Sequence, residues 1–194
     1  MNKADVLLGL QWGDEGKGKV IDVLSENIDM VVRFQGGNNA GHTVETREGK
    51  FVLHLVPSGI LRKGARCVIG NGVVVNPLAL QEEICHLEEL GFDVRSRLLL
   101  SSRSQLVFQY HSLTDGLYES NLGSKKIGTT KKGIGPAYAD KVNRVGIRAG
   151  DLRNPQRMEE RFRMQADFNN KIFRDAGQDE LDIDAEWKKL EKAA

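Results

Sequence analysis

A glycine-rich, basic turn directly after a short apolar run is the feature that most limits the fold of this chain. Residues 9–20 read Gly-Leu-Gln-Trp-Gly-Asp-Glu-Gly-Lys-Gly-Lys-Val and follow Val6-Leu7-Leu8. A strand that feeds such a turn, with a helix after it, is the layout of a phosphate-cradling loop. The spacing G-x-x-x-x-G-K is satisfied by Gly13–Lys19, but Val20 follows where a Mg²⁺-ligating Ser or Thr normally stands. Asp14 lies inside the loop instead, which suggests chemistry beyond the holding of phosphate.

Two interpretations of this loop remain open at the level of residues. Lys17 or Lys19 and the backbone N–H groups could hold an anionic oxygen, or the segment could be a mobile glycine turn. Asp14 has the same ambiguity. A carboxylate beside phosphates needs a metal or cations to offset repulsion, so it would be a Mg²⁺ ligand, a base or both. Otherwise it is an exposed turn aspartate of a common kind.

The apolar pattern predicts an α/β protein with a mostly parallel central sheet and flanking helices. Predicted strands cover Ala4–Leu10, Met30–Phe34, Cys67–Ile69, Val73–Val75 and Leu98–Ser101, with a hairpin formed by Val44–Thr46 and Lys50–Val56. Predicted helices cover Lys19–Glu26, with Val20, Val23 and Leu24 on one side, Pro77 to about Leu90, most of 104–120, and a long amphipathic segment from Pro155. The polar tail Gln178–Ala194 suits either a helix or a frayed end.

A second loop, Gln35-Gly-Gly-Asn-Asn-Ala-Gly-His-Thr43, follows the second predicted strand. Loops at the carboxyl ends of strands bind ligands in open α/β sheets, so we expect it to lie beside the first loop. That position makes His42 a candidate acid or base, although a lone histidine is more often structural. We expect His54, His86 and His111 to be structural or surface residues.

A third glycine-rich stretch, residues 123–136, contains four lysines with Thr129 and Thr130. It favours equally a basic flap that closes on an anionic ligand and a solvated run of charge.

Composition argues against several classes of protein. The net charge of +1 gives no reason to expect nucleic acid or membrane partners. Cys67 and Cys85 are isolated and indicate neither a zinc site nor a disulfide framework. No signal peptide and no membrane span is predicted, so we expect a cytoplasmic protein. A GTPase switch is disfavoured because its D-x-x-G motif is absent. Asn2-Lys3-Ala4-Asp5 matches the N-K-x-D motif of a base-specificity loop, but it precedes the first predicted strand, which is the wrong place for that loop.

Taken together, three motifs resemble those of the adenylosuccinate synthetase family. They are Gln11–Lys19, Gln35–Thr43 and Gly128-Thr-Thr-Lys-Lys-Gly-Ile-Gly-Pro-Ala-Tyr138. The resemblance covers nearly everything from residue 4 to about 152. It implies a P-loop NTPase-like fold and a GTP-dependent ligase that converts IMP and L-aspartate to adenylosuccinate, GDP and phosphate.

The resemblance also implies roles for individual residues. Asp14 would be the base that deprotonates the purine and a ligand of one Mg²⁺ per subunit, whose shell the Gly41 carbonyl completes. His42 would be the acid, with Lys17 on the GTP phosphates. The implied GTP-binding residues are Gly13, Asp14, Glu15, Gly16, Lys17, Gly18, Lys19, Gly41, His42 and Thr43. The implied IMP-binding residues are Asp14, Lys17, Asn38, Asn39, Ala40, Gly41, Thr130 and Arg144.

Arg144 matches an arginine that reaches the neighbouring active site in this family, which implies a homodimer. The chain stops at Ala194, about halfway through the family's fold. We therefore expect residues 1–194 to be the N-terminal part of a single α/β domain, without the guanine- and aspartate-binding elements. An inactive nucleotide-binding fragment is the alternative to a complete ligase.

Overall fold

A computed structural model of the chain describes residues 3–10, 16–24, 28–39, 41–46, 49–123 and 128–193. Its helices are α1 (Lys17–Leu24), α2 (Pro77–Glu89), α3 (Gln109–Asn121), α4 (Ile134–Asn143), α5 (Pro155–Asp175) and α6 (Ile183–Ala193). Its strands are β1 (Met30–Arg33), β2 (His42–Thr46), β3 (Gly49–Leu53), β4 (Arg66–Ile69), β5 (Val74–Val75), β6 (Leu98–Leu100) and β7 (Gln105–Leu106). Short 3-10 helices span Ser58–Leu61 and Ala149–Arg153.

The central element is a parallel sheet in the order β1-β4-β6. Val31 pairs with Cys67, and Cys67 pairs with Leu98 on its other side. A bridge between Gly36 and Val73 extends the β1–β4 pairing toward β5, which pairs in parallel with β7. These short runs of Val, Ile and Leu are typical of parallel strands in α/β proteins. The predicted fold class is confirmed, and the loops after β1 and β4 leave the same edge of the sheet.

The predicted hairpin is also present. β2 and β3 are antiparallel, with His42 opposite Leu53 and Val44 opposite Phe51. His42 is therefore the first residue of a strand, and the ladder fixes its backbone. Val44 and Leu53 are fully buried, which sets the register of the pair.

Helix α2 begins and ends where its sequence signals predict. Asn76 caps it by accepting the N–H of Ala79 at 3.1 Å, and Pro77 is its first residue. Gly91 follows the last turn with φ of +89°, a conformation that costs glycine little.

The main core joins α3, α5 and α6 through aromatic side chains. Phe108, Tyr110 and Phe162 are buried, and the ring centroids of Phe108 and Phe162 are 5.3 Å apart. Trp187 of α6 packs on Phe162 with 5.7 Å between centroids. The polar tail is thus a helix that docks on α5, and the long amphipathic helix from Pro155 is confirmed.

The strand predicted at Ala4–Leu10 is wrong. Residues 3–10 have no regular secondary structure, and Val6, Leu8 and Leu10 are 72%, 57% and 89% exposed. A parallel strand gains its stability from ladder bonds and from cover on its faces. This segment pairs with no strand among the described residues, so it has neither.

The first helix differs from its prediction in position and in orientation. It spans Lys17–Leu24, and residues 25–26 lie outside the described part of the chain. The expected apolar side is exposed, whereas Asp22 is buried and receives a bidentate ion pair from Arg62 at 3.1 Å. A charge-assisted pair therefore anchors α1 to the turn after Ser58–Leu61.

Two further boundaries are corrected by tertiary pairing. The segment predicted as mostly helical from residue 104 begins with β7, because Leu106 donates to the Ile147 carbonyl and Val107 to that of Val75, both at 2.8 Å. Sheet pairing there overrides the local helical pattern. Residues 134–136, predicted as part of the flap, are the first turn of α4.

Phe162→Ala should lower the free energy of unfolding by about 3–5 kcal/mol, because it opens a cavity among packed aromatic rings. Phe168→Ala, on the same helix but 61% exposed, is the matched control and should cost under about 0.5 kcal/mol. Urea unfolding followed by circular dichroism measures both. Equal effects of the two substitutions would contradict this description of the core.

Candidate active site

The N-terminus of α1 carries the described half of the first glycine loop. Gly16 has φ of +77°, and its carbonyl accepts the N–H groups of Lys19 and Val20 at 3.0 and 3.2 Å. Lys17 and Gly18 thus occupy the first turn, where helix N–H groups have no partner within the helix. Such a turn favours an anion. The predicted residues Gly13, Asp14 and Glu15 lie outside the described residues.

The imidazole of His42 lies directly against the backbone of Gly18. A Cβ atom built on Gly18 would be 2.5 Å from Cδ2 of His42, closer than real side chains approach. The absence of a side chain at Gly18 is therefore what lets the ring sit at the start of α1. The prediction that the first two loops lie side by side is confirmed.

The surroundings of His42 favour its neutral form. Burial, followed by the positive charges of Arg33 and His54, lowers the pKa of His42 from 6.5 to about 4. At neutral pH the ring is uncharged and presents one N–H donor and one acceptor. A bound anion would raise this pKa, because a nearby negative charge favours the imidazolium.

Arg33 is a functional residue that the sequence analysis missed. Its guanidinium donates to the Gly37 carbonyl at 2.6 Å and to the His54 carbonyl. Burial lowers the pKa of Arg33 below its ordinary value, while Glu83 and Tyr138 act in the opposite direction. The side chain thereby fastens the second loop to the end of β3. A charged residue at the end of an apolar strand was the one signal available in the sequence.

Glu83, on α2, binds the backbone at the end of β3, where Arg33 also binds. Its buried carboxylate accepts the N–H groups of His54, Leu55 and Val56 at 2.9, 2.8 and 3.2 Å. Three backbone bonds to one carboxylate fix the chain where it leaves β3. Sequence pattern gave no sign of this role, because Glu83 lies within an ordinary amphipathic helix.

The two asparagines of the second loop, Asn38 and Asn39, differ in their burial. Asn38 is half-buried, and its Oδ1 atom is buried without a hydrogen-bond partner among the described residues. Asn39 and Gly41 are exposed, as is Thr43 at the second position of β2. Gly41 packs against His54, since a Cβ there would lie 2.7 Å from its Cε1 atom. Ala40 is outside the described part of the chain.

Two adjoining clefts open beside this loop. The larger, of about 530 Å³, lies between the hairpin and α2 and is lined by Asn38, Asn39, Gly41, Lys50, His54 and His86 among others. The smaller, of about 330 Å³, is lined by residues that include Asn38, Gln109, Ser112, Lys131 and Lys132. Asn38, Ala79, Glu82 and Lys132 line both. The arrangement brings the second loop and the third glycine-rich stretch to one concave surface.

Residues 128–133 of that stretch are pinned to α3 at both ends. Gly128 donates its N–H to Glu119 at 2.6 Å, and Gly133 donates to Asp115 at 3.1 Å. Lys131 has φ of +53°, and Thr130 is exposed. The predicted flap is therefore a held loop over this part, while residues 124–127 lie outside the described residues. Lys131 and Lys132 line the smaller cleft, and neither forms an ion pair with a carboxylate within the described ranges.

Arg144 ends α4 in the left-handed region, with φ of +64°, and is exposed. It lines neither of the two clefts. A bulky residue in this conformation carries strain that a glycine would relieve.

The three remaining histidines differ from one another. His111 is buried and accepts the Phe108 N–H at Nδ1, at 2.9 Å, so its proton is on Nε2, 3.1 Å from Asp140. That arrangement is structural, as expected. His54 and His86 are exposed but line the larger cleft, so they lie closer to the site than the sequence analysis anticipated.

Within the described ranges, no group of three or more His, Cys, Asp or Glu side chains could hold a metal ion. The predicted ligand Asp14 lies outside those ranges. Over the same ranges, every helix is too short or too polar to cross a membrane.

Comparisons with known proteins agree with this architecture. The family model described as adenylosuccinate synthetase matches residues 6–194. The adenylosuccinate synthetases of Chlorobium chlorochromatii and Stenotrophomonas maltophilia are 52% and 56% identical, over 97% and 89% of this chain. This chain spans only 44% and 40% of their lengths.

Solved structures give the same result. The fully ligated adenylosuccinate synthetase of Plasmodium falciparum matches 93% of this chain with a TM-score of 0.85 and 41% identity, over 42% of its own length. The succinoaminodeoxyadenylate synthetase of cyanophage S-2L, bound to dGMP and dATP, matches 73% with a TM-score of 0.58 and 25% identity, over 39% of its length.

Fold and site together define a parallel α/β protein in which the start of α1, at the end of the first glycine loop, meets His42 of the second. The chain belongs to the adenylosuccinate synthetase family.

Gly18→Ala should displace the His42 ring, because the added methyl group would overlap it. The imidazole resonances of His42 should shift, and its pKa should rise as the ring becomes more exposed. Gly116→Ala, in α3 with open space around the new Cβ, is the control and should leave both unchanged. Unaltered His42 resonances in the Gly18 variant would rule out the contact.

His42 should titrate with a pKa of about 4 when its imidazole proton signals are followed by NMR. Because the unfolded chain takes up this proton near pH 6.5, the stability contributed by neutral His42 is complete above that pH and is lost as pH falls to about 4. The free energy of unfolding should therefore fall less steeply over this window in His42→Asn. Titration at 6.5 or above would contradict the described environment.

Proposed function

We propose that this chain supplies the phosphate-transfer part of a GTP-dependent adenylosuccinate synthetase, which joins IMP and L-aspartate. The observation that carries the proposal is the contact between Gly18 and His42, which unites the first and second loops at one point. Family membership supplies the reaction, and the geometry supports it. Residues 1–194 would be the N-terminal part of a single α/β domain acting in the cytoplasm.

In the proposed reaction, Asp14 takes the N1 proton of IMP and the purine O6 attacks the γ-phosphorus of GTP. The bond from that phosphorus to the β-phosphate oxygen breaks, and GDP leaves. The amine of L-aspartate then attacks C6 and displaces the phosphoryl group as inorganic phosphate, losing a proton as the C–N bond forms. The products are adenylosuccinate, GDP and phosphate.

GTP would lie along the first loop and the start of β2. Gly13–Lys19 would surround its phosphates with backbone N–H groups, and Lys17 would add a positive charge. Gly41, His42 and Thr43 would bind from the other side. The position of Lys17 in the first turn of α1 supports this role, since helix N-termini favour phosphate.

His42 would stabilise charge that develops on the transferred phosphoryl group. Its neutral state in the unliganded chain supports this role, because a neutral ring donates one hydrogen bond without repelling Arg33. Phosphates beside it would raise its pKa, so that the ring could take a proton as GTP binds. Phosphoryl transfer depends mainly on such positioning and charge neutralisation.

Mg²⁺ fits the donor set that this proposal requires. The carboxylate of Asp14 and the backbone carbonyl of Gly41 are hard oxygen ligands, and the exposure of Gly41 leaves its backbone open to a ligand. When bound, one Mg²⁺ per subunit would neutralise charge on the GTP phosphates.

IMP would bind through Asp14, Lys17, Asn38, Asn39, Ala40, Gly41 and Thr130. The Oδ1 atom of Asn38, buried without a hydrogen-bond partner among the described residues, supports this, since a buried acceptor without a partner is costly unless a ligand satisfies it. Arg144 would reach the IMP of a second subunit in a homodimer. Its exposure and left-handed backbone support a role outside its own cleft.

A second candidate function is nucleotide binding without turnover. It is favoured by one observation, that the chain spans only 40–44% of the length of its relatives. IMP affinity with no adenylosuccinate formed would select this alternative.

The test is a spectroscopic assay for adenylosuccinate with IMP, GTP, Mg²⁺ and L-aspartate, together with calorimetric titration of IMP. Product formation that requires all four components supports the ligase. If the protein forms no product and also fails to bind IMP, both candidate functions are overturned.

In an active preparation, Asp14→Asn should abolish turnover and retain most of the affinity for GTP, because the amide cannot accept the N1 proton. His42→Asn should lower kcat by about 10²–10⁴-fold and change the Kd for GTP much less. His86→Asn, at an exposed position of the larger cleft, which His42 does not line, is the control and should change kcat less than about twofold. Full activity of Asp14→Asn would remove it as the base.

A further inference from the structure

The hydroxyl of Tyr138, on α4, joins the loops that follow two neighbouring parallel strands. Its oxygen lies 2.7 Å from the carbonyl of Gly72, between β4 and β5, and accepts the N–H of Gly36, after β1, at 3.0 Å. A tyrosine hydroxyl has one proton and can also accept. The hydroxyl donates to the Gly72 carbonyl and accepts from the Gly36 N–H, so it acts as donor and acceptor at once. These two bonds attach both loops to α4.

The backbones at this junction touch with no room for side chains. A Cβ on Gly72 would lie 2.0 Å from the Phe34 carbonyl oxygen, and one on Gly37 would lie 2.5 Å from Cδ1 of Ile134. Ile134 and Tyr138 both belong to α4, one turn apart. The helix thus contacts the second loop at two consecutive residues, through packing at Gly37 and through the hydroxyl at Gly36.

A second tie between α4 and the same region is weaker. Lys141 donates from Nζ to the Asn71 carbonyl at 2.9 Å, but in an exposed position. The hydroxyl of Tyr138 is part-buried, so water competes less with its bonds. Of these two ties, only that of Tyr138 reaches the loop that follows β1.

That loop continues directly into Asn38, whose Oδ1 atom is buried without a described partner. Small shifts of the Gly36–Gly37 backbone would move this atom, since only Gly37 lies between Asn38 and the residue that Tyr138 binds. We propose that Tyr138 is a positioning residue, whose hydroxyl sets the Gly36–Gly37 backbone and so holds Asn38 in place for IMP. This inference rests on the proposed function.

Tyr138→Phe tests the hydroxyl alone. The ring should keep its place in the small cluster with Val74, Val107, Ala137 and Ile134, so the variant should fold. The Gly36 amide loses its acceptor, and its hydrogen exchange should become about three- to tenfold faster. The Gly70 amide, which donates to the Arg33 carbonyl at 2.8 Å, is the internal reference and should not change.

Tyr118→Phe is the matched control, because Tyr118 is 59% exposed on α3. It should leave exchange at Gly36 unaltered. An unchanged Gly36 exchange rate in Tyr138→Phe would overturn the positioning role, whatever the chain's function.

Calorimetric titration with IMP completes the test. The Kd for IMP should rise about three- to tenfold in Tyr138→Phe and stay the same in Tyr118→Phe. Faster Gly36 exchange with an unchanged Kd would overturn the claim that the hydroxyl acts on the ligand. Failure of the unsubstituted chain to bind IMP would instead count against the proposed function, and the Gly36 measurement would still decide the backbone role.

Discussion

The hydrogen bonds of the half-buried Arg33 guanidinium are the interaction on which the rest of the site depends. The guanidinium lies at the end of β1 and holds the carbonyls of Gly37 and His54, which belong to two different loops. Glu83 holds the N–H groups of residues 54–56 from the opposite side. Arg33 therefore binds carbonyl groups and Glu83 binds N–H groups of the backbone around residue 54. The opposite charges of the two side chains offset the cost of burying each one. Removing either would leave a buried charge with incomplete compensation.

The same charges set the electrostatics of the cleft. Burial, and then Arg33 and His54, disfavour a proton on His42, so the imidazole beside Arg33 is neutral in the unliganded site. The exposed Lys132 lines both adjoining clefts and the exposed Lys131 lines the smaller one, and Glu82 adds a negative charge to both. In the proposed function phosphate groups would bind beside this ring, and their negative charge would raise the pKa of His42 again. In that proposal, anion binding and the protonation of His42 would be linked through Arg33 and its neighbours.

Sequence predicted the parts of this structure that local chemistry determines. The hairpin follows from alternation around Arg47-Glu48-Gly49, and α2 from Asn76, Pro77 and Gly91. The side-by-side placement of the first two loops was predicted, but the strand expected before the first loop is absent from residues 3–10, so the contact runs from Gly18 in α1 to His42 at the start of β2. Side-chain anchors such as Arg33 and Glu83 could not be predicted, because their partners are backbone atoms distant in sequence. The strand at Ala4–Leu10 failed because apolar pattern alone does not supply a pairing partner.

The central claim is that the first and second glycine loops form one phosphate site. Titration of the ¹⁵N-labelled protein with GTP and Mg²⁺, followed by NMR, tests it most directly. The account predicts that the amides of residues 17–19 and 41–43 shift together and along one binding curve. Shifts confined to one of these two segments at saturation, or absent from both, would contradict it.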